Sequence, residues 1–120
     1  MAKRIKKTTT LTGAALARAM NLHPLAVEAL RGAGMLGRCA VEVDGQTHYT
    51  TYALPLVALA DDLASEVAAG RLDQEEAGRV FAALVPKVYD AWDVYLRSGR
   101  VVPVRFEKLT FRSIERAAAA

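Results

Sequence analysis

A chain of 120 residues, 52% hydrophobic and 24% charged, has the length of one folded domain, with room for a dimerising extension and a modest core. No apolar run approaches the roughly 20 residues of a membrane span, and the basic N-terminus lacks the apolar stretch of a secretory signal. The lone cysteine, Cys39, excludes an internal disulfide framework and fits a reducing, cytoplasmic setting.

The net charge of +3 is unevenly spread. Residues 1–40 hold Lys3, Arg4, Lys6, Lys7, Arg18, Arg31 and Arg38 against Glu28 alone. Residues 41–100 hold ten acidic side chains against five basic ones, and the remainder four basic against two acidic. Positive charge gathered at one end suits a polyanionic partner.

In chain order, residues 1–10 lack apolar periodicity and read as a flexible basic arm. Thr12 is placed to cap a helix carrying Leu16 and Met20 at i, i+4 spacing. Asn21 tolerates the left-handed conformation that ends such a helix. His23-Pro24 opens a second helix, with proline in the first turn where its missing N–H costs little. Val27 and Leu30 continue the apolar face until Gly32 and Gly34 stop it.

Residues 38–52 read as a hairpin around Asp44-Gly45, with Val41 and Val43 alternating before the turn and β-favouring residues after it. The cross-strand faces come out mixed in polarity, which leaves the register open by one residue. A third helix is expected over residues 55–69, with Leu56, Leu59, Leu63 and Val67 as its stripe. Asp73 and Glu76 form a capping-box start to a fourth helix, which ends near Gly99 and should kink at Pro86. Its stripe is Val80, Leu84, Val88, Trp92 and Tyr95 or Leu96. Residues 101–111 alternate at period two and read as a strand, and residues 117–120 as a frayed end.

The first two helices satisfy several packing requirements together. With Asn21 at the turn, Leu16, Met20, Leu22, Val27 and Leu30 all point inward, and Ala17 is the small residue that permits close approach. Their agreement identifies a helix-turn-helix, with an ordinary αα-hairpin as the alternative. The stretch from Leu22 to Val27, then Gly34-Met35-Leu36, then Gly45 to Tyr49 before a new helix, resembles the N-terminal winged-helix domain of MerR-like regulators. The resemblance covers about residues 10–65. His23-Pro24 stands where that family has Ser-Pro, Gly34-Met35-Leu36 matches Gly-Leu-Leu, and Gly45 to Tyr49 keeps the spacing of the wing. It departs where the family places arginines on the recognition helix and wing: Leu25, Glu28 and Thr47 stand there instead.

The expected fold is mainly α with a small β component (α+β): a winged helix-turn-helix, a long dimerising helix and a C-terminal strand. The expected divisions are an arm over 1–10, the winged unit over 11–70, and a dimerisation helix with its strand over 71–120. The expected function is sequence-specific binding of double-stranded DNA by a homodimer, as a small transcriptional regulator or an excisionase-like accessory factor. The DNA-facing residues would be Lys3, Arg4, Lys6, Lys7, Arg18, His23, Leu25, Glu28, Arg31, Arg38, Thr47 and His48. Phe81, Leu84, Val88, Trp92 and Tyr95 would be core or form the dimer interface, as the long helix does in the family. The alternative is an adaptor whose recognition helix binds a protein partner, for which Leu25, Ala26 and Ala29 are suited.

Other chemistry has little support in the sequence. Cys39, His23 and His48 have no recognised metal-ligand spacing, and no base accompanies Cys39 as a nucleophile. Asp61-Asp62 and Asp90-Asp93 read as solvated polar faces of helices. No phosphate-binding glycine loop or nucleophile elbow is present, so neither an enzyme nor a bound cofactor or metal is expected.

Overall fold

The computed structural model describes residues 9–120. Contacts divide the chain into two compact units, Met1–Leu54 and Pro55–Ala120. The division falls in the first turn of a helix, earlier than the boundary at residue 70 expected from the sequence. Among the described residues there are five α-helices and two small antiparallel sheets, an α+β fold. No described helix is long and apolar enough to cross a membrane.

The first unit runs β1 (Thr10–Thr12), α1 (Gly13–Ala19), α2 (Pro24–Gly32), a single 3-10 turn (Gly37–Cys39), β2 (Ala40–Val43) and β3 (Gln46–Thr50). Thr12 ends β1 in extended backbone and at once caps α1, its Oγ1 accepting the Ala15 N–H at 3.1 Å. Asn21 takes φ +57°, and the Leu22 N–H closes back onto the Ala17 carbonyl at 2.8 Å. The chain thereby reverses within three residues and α2 packs on α1. Leu16, Ala17, Met20 and Val27 are buried, as their spacing predicts, whereas Leu22 and Leu30 are half-buried.

Asp44 and Gly45 hold φ +51° and +77°, the pair of left-handed residues that a two-residue hairpin turn requires. This fixes the register left open by the sequence: Val43 pairs with Gln46, Glu42 with Thr47, Val41 with His48 and Ala40 with Tyr49. The other edge of β3 is taken by β1, so the sheet order is β1-β3-β2. Residue 10, assigned to the arm, is therefore in a strand. Tyr49 sits at the centre, flanked by Leu11 and Ala40, with its ring against Gly13. Burial is the main cause of its raised phenol pKa, with Arg31 pulling the other way.

The second unit continues α3 (Ala53–Ala68), then α4 (Gln74–Ser98), β4 (Val104–Phe106), β5 (Leu109–Phe111) and α5 (Ser113–Ala118). Asp73 and Glu76 make the expected capping box at the start of α4: Asp73 Oδ1 accepts the Glu76 N–H at 2.7 Å, and Glu76 Oε1 accepts the Asp73 N–H at 3.1 Å. Gly99 ends the helix at φ +72°, and the helix continues through Pro86. The Glu76 backbone N–H holds the Asp73 carboxyl below its ordinary value of 3.8. A depressed carboxylate stabilises the folded state above its unfolded pKa, and this is lost as pH falls through the folded value. Asp73→Asn, which keeps an acceptor that does not titrate, is expected to flatten the acid limb of a pH–melting curve below about pH 4. An unchanged acid limb would show that the box contributes nothing there.

Two tail assignments are corrected. Within residues 101–111, expected as one strand, residues 104–111 form a hairpin, because Glu107 at φ +53° turns the chain between β4 and β5. Residues 117–120 are not simply a frayed end: α5 reaches Ala118, and Ile114 and Ala117 are fully buried. Arg116 on α5 reaches α3, donating to Asp62 Oδ1 at 2.6 Å, Asp61 Oδ2 at 2.9 Å and the Ala58 carbonyl at 3.2 Å. Asp61-Asp62 is thus half of an ion-pair cluster and not a plain solvated face. Burial pushes the Asp62 carboxyl up, and Arg116 draws it back.

The stripe on α4 is covered by its own chain. Leu84, Val88 and Trp92 have no exposed surface, Phe81 is buried, and Tyr95 is half-buried with its ring 5.0 Å from that of Trp92. Phe81, Leu84, Val88 and Trp92 are thus core residues of the single chain, with Tyr95 at the edge of that core.

Candidate nucleic-acid interface

The described residues expected to face DNA all belong to the first unit, and α2 supplies the densest group. His23 adopts extended backbone as N-cap, and its Nδ1 accepts the Leu25 N–H at 3.1 Å. That bond leaves the ring proton on Nε2, an exposed donor at the helix start. Pro24 follows at the first helical position, where no N–H is needed. Val27 faces inward with 1% exposure, so the opposite side of α2 is outermost. Leu25, Glu28, Ala29, Arg31 and Gly32 are all exposed, Leu25 by 70%.

Glu28 and Arg31 are joined: Arg31 Nε donates to Glu28 Oε2 at 2.9 Å. The bond and the carboxylate charge raise the already high Arg31 pKa, and they partly neutralise the only cation on the helix. Arg18 is exposed in the last turn of α1, and Arg38 is exposed in the 3-10 turn. Thr47 and His48 are half-buried in β3. The Thr47 hydroxyl donates across the hairpin to Glu42 Oε1 at 3.3 Å.

Register also exposes something the sequence expectation overlooked. The hairpin presents carboxylates, Glu42 and Asp44, both exposed. Their order in the sequence was visible, but their place on the exposed ribbon followed only once the register was fixed. Over residues 9–54, Arg18, Arg31 and Arg38 are matched by Glu28, Glu42 and Asp44, leaving no net charge apart from the histidines. The surplus of positive charge in this half of the chain comes from Lys3, Arg4, Lys6 and Lys7, which lie outside the described residues.

The residues weighed for metal or nucleophilic roles have local structural tasks. Cys39 is buried, and its Sγ–H donates to the Leu36 carbonyl at 3.3 Å. His23 caps α2, and His48 pairs with Val41 and Thr12 within the sheet. No group of three potential metal ligands occurs among the described residues. Comparison with models of known protein families, with curated proteins and with solved structures gave no match.

Proposed function

We propose that the first unit is a winged helix-turn-helix that binds double-stranded DNA without catalysing a reaction, in the cytoplasm. Its biological use would be that of a small transcriptional regulator or an excisionase-like accessory factor. The observation that carries this reading is the order β1-α1-α2-β2-β3 with α2 uncovered on its outer side. A helix held by a partner helix and a tight turn, with a ribbon beside it, is how such units present a rod to the major groove. His23 and Arg31 would meet the groove, Arg18 and Arg38 its phosphates, and Lys3, Arg4, Lys6 and Lys7 would supply most of the sequence-independent attraction. Fluorescence anisotropy of labelled duplexes against a salt series tests it: binding is expected to weaken steeply as salt rises. Absence of binding to any duplex at low salt would end the proposal.

A second reading has a specific observation in its favour. Leu25 is one of two large apolar side chains exposed among the described residues, and Glu28–Arg31 is internally paired beside it. That face suits an apolar partner surface on another protein. Leu25→Arg separates the two. On the DNA reading an added cation strengthens non-specific duplex binding several-fold at 0.1 M salt, about the effect of one phosphate contact. On the protein reading it abolishes capture of the partner and leaves duplex binding negligible.

A further inference from the structure

We infer that α2 selects its DNA site through thymine 5-methyl groups met by Leu25, and not through guanine edges met by arginine. This rests on the DNA-binding reading above. Leu25 is 70% exposed in the first turn of α2, the part of a recognition helix that reaches base edges. Ala29 and Gly32 follow at i+4 and i+7 and are also exposed, so the apolar line continues along the rod.

The polar alternatives on the same helix are each partly engaged. Guanine is read by an arginine fork aimed at O6 and N7; Arg31 keeps its terminal N–H groups for this, but its Nε on Glu28 at 2.9 Å turns the guanidinium toward that carboxylate and offsets its charge. The same bond takes Glu28 Oε2, so a cytosine amino group would meet the remaining oxygen of a carboxylate already paired with a cation. The Nδ1 of His23 is spent on the Leu25 N–H, leaving one donor for a base or phosphate. Among major-groove features, the thymine methyl is the one an aliphatic side chain can recognise. Phosphate contacts carry no sequence information, so they cannot substitute for it.

The test uses the full chain and duplexes enriched from a randomised pool at low salt. Each thymine in an enriched duplex is then replaced by uracil, which preserves pairing and removes only the 5-methyl. Enriched duplexes are expected to share a thymine at which uracil weakens binding about four-fold, the equivalent of one buried methyl. Leu25→Ala should bind the thymine and uracil forms alike. Equal binding of both forms by the wild-type chain overturns the inference and leaves DNA binding intact. A guanine-centred preference that disappears in Arg31→Ala does the same. Failure to bind any duplex overturns the DNA reading, and the inference falls with it.

Discussion

Replacing Lys3, Arg4, Lys6 and Lys7 together by alanine is expected to lower duplex affinity by two orders of magnitude or more at about 0.1 M salt. The reason lies in the charges around these residues. Residues 9–54 have three arginines and three carboxylates, and Arg31 is bonded to Glu28. Each cation placed on a phosphate contributes about 0.9 to the slope of log affinity against log salt. Loss of four should flatten that slope by about three to four, equally for all sequences. A slope unchanged in the quadruple variant would mean that these four cations take no part in binding. Attraction would then have to come from the folded arginines, which their carboxylate neighbours make difficult.

The largest expected effect on stability belongs to Trp92→Ala. Trp92 is wholly enclosed and stacked on Tyr95 at an interplanar angle of 25°, in line with Val88 and Leu84 on the same helix. Truncating an enclosed aromatic side chain removes its burial and leaves a cavity, costing about 3–5 kcal/mol. In a chain of this size that corresponds to a fall in melting temperature of roughly 10–20 °C. The melt is followed by circular dichroism at 222 nm, because the variant lacks the only tryptophan. A loss of under about 3 °C would contradict the enclosed position of this ring.

The features that could be read from sequence are local ones. Thr12, His23-Pro24, Asp73 with Glu76, and Gly99 each act within four residues of themselves, so composition and spacing suffice to place them. Asp44-Gly45 is legible for the same reason. Strand β1 was not, because three residues show no clear period and its partner Thr50 lies forty residues on. Glu107-Lys108 is not a pair that signals a turn, so the second hairpin was merged into one strand. The alanine-rich end looked featureless because its anchors, Asp61 and Asp62, stand more than fifty residues earlier.

The same limit applied to the candidate site. Basic residues could be counted, and the Glu28–Arg31 spacing is one at which helical side chains meet. The carboxylates on the ribbon needed the strand register. The α4 stripe showed that the helix buries one face, but amphipathicity does not say what covers it. The burial of Leu84, Val88 and Trp92 answers that for the chain itself, and among the described residues Leu25 on α2 is the most exposed large apolar side chain.

The reach of Arg116 back to α3 also sets an order of events during synthesis. Every strand pairing of the first unit is available once Thr50 has emerged from the ribosome. The clasp on Asp61 and Asp62, with the plug formed by Ile114 and Ala117, awaits residues translated roughly 3–14 s later, at typical elongation rates of about 5–20 residues per second. From the emergence of Asp62 until then, the nascent chain carries two adjacent, unanswered carboxylates on α3, beside an apolar surface whose cover has not yet been made.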